Sequence, residues 1–167
     1  MYDEIDENDT VFFASMEPYS YSDLRKFLST ICVEQNNNII KYWIVGKSVS
    51  GNSIYSLLIT DFTSSFQEIG LRKSIIFTSR IHPGFFLIRE ANSSFVIESI
   101  INFLIGNSNE AIILRKFYIF KIIPMLNQDG VICGNYRCSL NGIDLNRQWI
   151  DSKEILAQEV YSVKEVF

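Results

Sequence analysis

Ser74-Ile-Ile-Phe-Thr-Ser79, running directly into Arg80-Ile-His82-Pro-Gly84, is the stretch on which the reading of this chain turns. A short apolar run bounded by polar residues has the pattern of a buried strand. At its C-terminal end it delivers the sole histidine of the sequence. In open α/β sheets, functional groups gather at that end of the strands. Pro83 fixes the backbone on one side of the imidazole and Gly84 loosens it. By itself His82 stays ambiguous between a hydrogen-bonded loop residue and a ligand.

Working outward, Ser20-Tyr-Ser-Asp23 has the spacing of a capping box, and Leu24, Phe27, Leu28 and Ile31 recur at helical intervals, which predicts a helix over about 21–34 ended by Asn36-Asn-Asn38. Ile39 to Val45 and Ile54 to Thr60 read as strands around the turn cluster Gly46 to Gly51, of hairpin or connection type. Ser93 to Ile105 carries Phe95, Val96, Ile100, Phe103 and Leu104 at helical spacing. A shorter helix over 109–116, a strand over 116–124, a turn-rich stretch over 125–144 and a last helix from about Lys153 complete the order. Strands alternating with helices predict one α/β domain: a mixed, mostly parallel central sheet flanked by helices. Residues 1–10 read as an acidic, disordered lead-in, and 11–167 as the domain.

Composition narrows the function. At 47% hydrophobic and 20% charged over 167 residues, the chain has core material for one globular domain and is neither disordered nor fibrous. A formal charge of −4 without a Lys/Arg cluster argues against nucleic-acid partners. No apolar run approaches the ~20 residues that span a bilayer, and the acidic start is unlike a secretory signal, so a soluble, cytosolic protein without membrane partners is expected. Cys32, Cys133 and Cys138 are an odd set without metal-finger spacing, as expected of reduced thiols.

The stretch from Pro124 to Trp149 places Arg137, Arg147, Asn135 and Asn146 on a long loop after a strand. Guanidinium forks there could form a wall for carboxylate or phosphate, and an ordinary surface loop whose Asn and Asp residues serve turn geometry is equally open.

Taken together, Glu17-Pro-Tyr-Ser-Tyr-Ser-Asp-Leu24, Val45-Gly-Lys-Ser-Val-Ser-Gly51, Thr78-Ser-Arg-Ile-His-Pro-Gly84, Phe120-Lys-Ile-Ile-Pro-Met-Leu-Asn-Gln-Asp-Gly130, Gly134-Asn-Tyr-Arg137 and Asp144-Leu-Asn-Arg-Gln-Trp149 resemble the zinc metallocarboxypeptidases. The nearest likeness is to the cytosolic carboxypeptidase branch, which removes glutamates from tubulin and other acidic tails. The resemblance implies a metallocarboxypeptidase-like fold and one zinc ion, held by a His and a Glu of a His-Pro-Gly-Glu segment and by a second His further on. This set leaves an open position for water and the scissile carbonyl. His82 falls on the first ligand. Arg137 falls on the arginine that stabilises the oxyanion, and Asn146 with Arg147 on the grip for the substrate's terminal carboxylate. The implied partners are peptide or protein C-terminal tails, tubulin among them.

Departures from the family pattern weigh on activity. Phe85 stands where the ligand Glu is expected, and Glu90-Ala-Asn-Ser-Ser-Phe-Val96 resembles the family's continuation, so 85–89 read as an insertion and Glu90 as the displaced ligand. The His-to-Glu spacing grows from three to eight, in a site that tolerates errors of only about 0.5 Å. Ala157 is matched to the second histidine, and Gln128 to a proline. The general-base glutamate and a substrate-contacting tyrosine are expected past Phe167, which reads as truncation on the C-terminal side. Three readings follow: an active deglutamylase, a non-catalytic binder of acidic C-termini, or an incomplete or mis-assembled translation of a normal enzyme. An uncovered sheet edge and poor solubility alone are expected.

Overall fold

The computed structural model describes residues 10, 17–33, 38–84, 90–150 and 156–166. The acidic lead-in, apart from Thr10, and the stretch 85–89 lie outside the described residues.

Helix α1 spans Tyr21–Val33. The Ser20 amide donates to Asp23 Oδ2 at 2.8 Å and the Asp23 amide to Ser20 Oγ at 3.2 Å, so the capping box forms as its spacing predicts. Leu24, Leu28 and Ile31 point one stripe inward, at the i, i+4, i+7 spacing of a half-buried helix. Strands β1 (Ile40–Lys47) and β2 (Ser53–Ile59) form an antiparallel hairpin. Its register slips between Ile44 and Gly46. β3 (Lys73–Thr78) and β4 (Tyr118–Ile123) pair in parallel, and β2 pairs with β4 antiparallel, giving the order β1-β2-β4-β3.

The sheet is mixed, as expected, but two of its three pairings are antiparallel where a mostly parallel sheet was predicted. The cause is local: the five residues between β1 and β2 are too few for a parallel crossover, which needs a dozen or more. β3 also departs from the buried strand its apolar run suggested. It lies at the edge of the four described strands and leaves Ile76 half exposed. An apolar run cannot tell an edge strand from a central one; pairing decides it.

Between β2 and β3 lies α2 (Phe66–Gly70), a single turn opened by a Ser65/Glu68 capping box. Helix α3 spans Glu90–Ile105. It buries Ile97, Ile101 and Leu104, and leaves Val96 and Phe103 exposed, so its inward stripe is rotated from the predicted one. A helix whose apolar residues are spread around its circumference does not show in sequence which side faces the core. The Arg115 guanidinium on α4 (Asn109–Phe117) donates to the carbonyls of Leu104 and Gly106, satisfying acceptors left open where α3 ends.

One sheet face carries Leu57, Ile59, Phe120 and Ile122 under α1 and α3. On the other, Ile54 and Ile123 meet Val160 and Val163 of α6 (Gln158–Lys164). A side chain at Gly46 would lie 2.3 Å from Ser162 Oγ, so the missing Cβ is what lets α6 rest on β1. Among the described residues no helix is long and apolar enough to cross a membrane.

Candidate active site

Beyond their last paired residues, β3 and β4 keep running side by side. The Ser79 amide donates to the Ile123 carbonyl at 2.9 Å, and the Leu126 and Asn127 amides return bonds to the carbonyls of Ser79 (2.9 Å) and Arg80 (3.0 Å). Asn127 caps α5 (Gln128–Cys133), accepting from the Gly130 amide at 3.0 Å, and its Nδ2 donates to the Ile81 carbonyl at 3.2 Å. The chain around His82 is thus bound on one side to the start of α5. Pro83 closes against α5 so tightly that a Cβ at Gly130 would lie 2.4 Å from its Cγ. Gly84 donates its amide to the Tyr136 carbonyl at 2.9 Å, which brings the arginine-bearing loop alongside.

His82 is nearly buried, and its Nε2 lies 2.9 Å from Asp144 Oδ1. Asp144 Oδ2 accepts from Arg137 Nε at 2.9 Å, and Oδ1 also accepts from the Asn146 amide at 3.0 Å. Burial alone would raise the Asp144 carboxyl, but the bonds from His82, Arg137 and the Asn146 amide outweigh it and hold the group below its usual range. An ionised Asp144 can only accept, so the proton of this bond sits on His82 Nε2. Asp144 also caps the 3-10 turn Leu145–Arg147. That turn presents Asn146, whose Oδ1 accepts from Trp149 Nε1 at 3.2 Å, and Arg147, whose exposed side chain makes no hydrogen bond or ion pair among the described residues.

Of the residues singled out in the sequence, the fold brings His82 and Arg137 together through Asp144 and sets Asn146 and Arg147 on the adjoining turn. Asp144 itself went unassigned. A readable signal existed: an aspartate two residues before an asparagine is an N-cap candidate, and a lone functional histidine needs a carboxylate or carbonyl to fix its tautomer. Glu90 opens α3, but its side chain lies outside the described part of the structure. Asp129, buried on α5, accepts from Ser48 Oγ (2.6 Å), the Ser50 amide (2.8 Å) and Asn52 Nδ2 (2.8 Å), clasping the β1–β2 loop to the same end of the sheet.

The zinc carboxypeptidase family model matches residues 26–165. The chain belongs to the zinc carboxypeptidase family. Mouse cytosolic carboxypeptidase 2 is 42% identical over 147 residues, which is 86% of this chain and 16% of that protein. Human cytosolic carboxypeptidase 6 is 38% identical over 162 residues, covering 96% of this chain and 30% of its own length. A metallo-carboxypeptidase from Burkholderia cenocepacia superposes with a TM-score of 0.76 at 25% identity, over 89% of this chain and 38% of that one. The chain therefore spans less than a third of the length of these curated relatives and carries the metallocarboxypeptidase-like α/β fold over most of its own.

The family implies zinc, and His82 fits it. Metal-bound histidines donate their second ring nitrogen to a carboxylate or carbonyl, as Nε2 does here to Asp144. The remainder of a zinc carboxypeptidase ligand set is not found among the described residues, where no three His, Cys, Asp or Glu side chains converge. Ala157, matched in sequence to a second histidine, is wholly buried in the apolar cluster of Leu126, Leu145, Val160 and Val163. An alanine methyl supplies no donor atom for a metal at that position.

Proposed function

We propose that residues 11–167 are the N-terminal part of a cytosolic carboxypeptidase catalytic domain whose activity is the hydrolytic removal of C-terminal residues, glutamates, from protein tails such as those of tubulin. The reading rests on one arrangement above all: His82, Asp144 and Arg137 in an unbroken hydrogen-bonded row beside the exposed Asn146 and Arg147. The names and identities of the relatives support the branch and a cytosolic location. In this reading His82 Nδ1 is a zinc ligand and Glu90 a second. Zinc, when bound, supplies Lewis acidity and an activated water. Arg137 commits Nε to Asp144, which leaves its Nη groups to face a developing oxyanion. Arg147 and Asn146 receive the substrate's terminal carboxylate, a planar anion that matches a guanidinium fork.

A second reading, binding of acidic tails without cleavage, is favoured by the lack, among the described residues, of three His, Cys, Asp or Glu side chains grouped to hold a metal. One experiment separates the two. A fluorescent peptide ending in glutamates is titrated with the chain, with and without chelator, and the mixture is followed by mass spectrometry. Loss of terminal glutamates that chelator abolishes establishes the hydrolase. Chelator-insensitive binding without shortening establishes the binder. In both cases Arg147→Ala weakens binding about 10- to 100-fold, the worth of a charged hydrogen-bonded pair of about 1.5–3 kcal/mol. Equal affinity for a peptide with an amidated C-terminus would refute the carboxylate grip.

A further inference from the structure

We propose that Arg80 is a positioning residue for His82: its buried guanidinium ties the His82-Pro83-Gly84 turn to α3 and so holds the imidazole on Asp144. The inference rests on the reading of His82 as a metal ligand and adds a residue to it.

Two observations outside the catalytic row carry it. Arg80 has φ +51°, the one non-glycine residue with positive φ among those described, at the point where the chain leaves β3 for the histidine. Left-handed backbone is unfavourable for a long side chain and persists where surrounding contacts hold it. Second, its side chain turns inward. Arg80 is 5% exposed, Nη2 donates to the Pro83 carbonyl at 3.0 Å and Nη1 to Ser94 Oγ at 3.3 Å. Ser94 is itself fully buried on α3.

These bonds reach across the histidine. One end of the guanidinium fixes the carbonyl of the residue after His82, and the other fixes a helix whose first residue, Glu90, stands one turn before Ser94. His82 and Glu90 are eight residues apart in sequence, and Arg80 provides a direct link between their two segments. Asn127 Nδ2 on Ile81 and the Gly84 amide on Tyr136 tie the turn to α5 and to the arginine loop. Bonds to α3 come from Arg80 Nη1, on Ser94 Oγ, and from Ser79 Oγ, 3.1 Å from Ser93 Oγ; of these two side chains, the Arg80 guanidinium also holds the turn through the Pro83 carbonyl. A planar fork with spread donors suits this bridge; a lysine ammonium is a point charge and reaches one partner well.

The test uses the fact that the chain has one histidine, so its imidazole ¹⁵N and Nε2–H signals need no assignment. Spectra of the parent, Arg80→Gln, Arg80→Lys and Ser94→Ala are compared at one pH, then again on titration with Zn²⁺ alone. The parent is expected to show the Nε2–H tautomer with a slowly exchanging proton. Arg80→Gln is expected to mix the two tautomers, to speed that exchange, and to weaken zinc affinity by about 10–100-fold, as loss of a supporting residue around a metal ligand does. Arg80→Lys is expected to fall between. Unchanged tautomer, exchange and zinc affinity in a folded Arg80→Gln overturns the proposal. If Arg80→Gln loses its dispersed methyl signals, Ser94→Ala decides: it removes one arm only, and an unaltered Nε2–H signal overturns the proposal. A parent whose histidine signals ignore zinc refutes the metal reading, while the tautomer comparison still judges Arg80.

Discussion

Gly130→Ala sets two effects of opposite sign against each other. Gly130 is the third residue of α5, and alanine is favoured over glycine inside a helix by about 1 kcal/mol, so local propensity predicts a more stable protein. Packing predicts the reverse. The added Cβ would lie 2.4 Å from Pro83 Cγ and 2.6 Å from Asn127 Oδ1, distances that real Cβ atoms do not adopt. Neither neighbour yields cheaply. Pro83 is a rigid ring in the histidine turn. Asn127 is held by its bonds to the Gly130 amide and the Ile81 carbonyl, worth about 1 kcal/mol each. Overpacking of this kind costs about 1–3 kcal/mol. Less the propensity gain, the net loss is about 1 kcal/mol at the centre of that range, or a Tm lowered by about 2–4 °C in a chain of this size. Gly70→Ala is the control: it ends α2, a Cβ there meets nothing within 4 Å, and its expected effect is a gain of about 0.4–1 kcal/mol. Urea unfolding followed by tryptophan fluorescence measures both. If Gly130→Ala proves as stable as Gly70→Ala, the close approach of Pro83 to α5 is wrong, and with it the account of how the histidine turn is held.

Two carboxyl groups predict opposite pH dependences. Asp144, held low by His82 and Arg137, stabilises the fold above its unfolded value, near the usual 3.8, and that stability is lost as pH falls through its lower folded value. Asp144→Asn should therefore flatten the acid limb of a stability-against-pH curve below about pH 4; an unchanged limb would remove Asp144 from the row. Glu159 is the reverse case. It is fully buried, neither oxygen has a hydrogen-bond partner of ordinary geometry among the described residues, and burial first, then the neighbouring Asp129 carboxylate, pushes its carboxyl up. An acid whose folded value is raised costs stability as pH climbs past its unfolded value of 4.5. Glu159→Gln is expected to match the parent near pH 4 and to exceed it in urea midpoint at pH 8; equal midpoints at both would refute a neutral Glu159.

What could be read in the sequence, and what could not, divides along a physical line. α1 was legible because its capping box and its apolar stripe are local signals that agree. The hairpin was legible as two β-rich runs around a glycine-bounded turn. Pairing partners and burial were not. Nothing local tells β3 that it lies at an edge, or α3 which of its apolar sides faces the sheet. The site follows the same rule. His82, Arg137 and Arg147 announce themselves by residue type, whereas Asp144, Asn127 and Asp129 look like turn residues and Arg80 like a surface cation. Their roles come from partners far along the chain: Asp144 meets His82 across 62 positions, and Asp129 meets Ser48 across 81. The motifs Val45–Gly51 and Phe120–Gly130 lie far apart in sequence, yet Asp129 joins them into one clasp at the end of the sheet that carries His82. That convergence has a consequence for substitution. In the clasp, removing Asp129 leaves the Ser48 hydroxyl, the Ser50 amide and the Asn52 amide without their shared acceptor, each worth more to the fold than its hydrogen bond alone where it is buried. Such residues anchor the scaffold on which the more conspicuous histidine and arginines act, and their chemistry becomes legible only when the fold brings their partners to them.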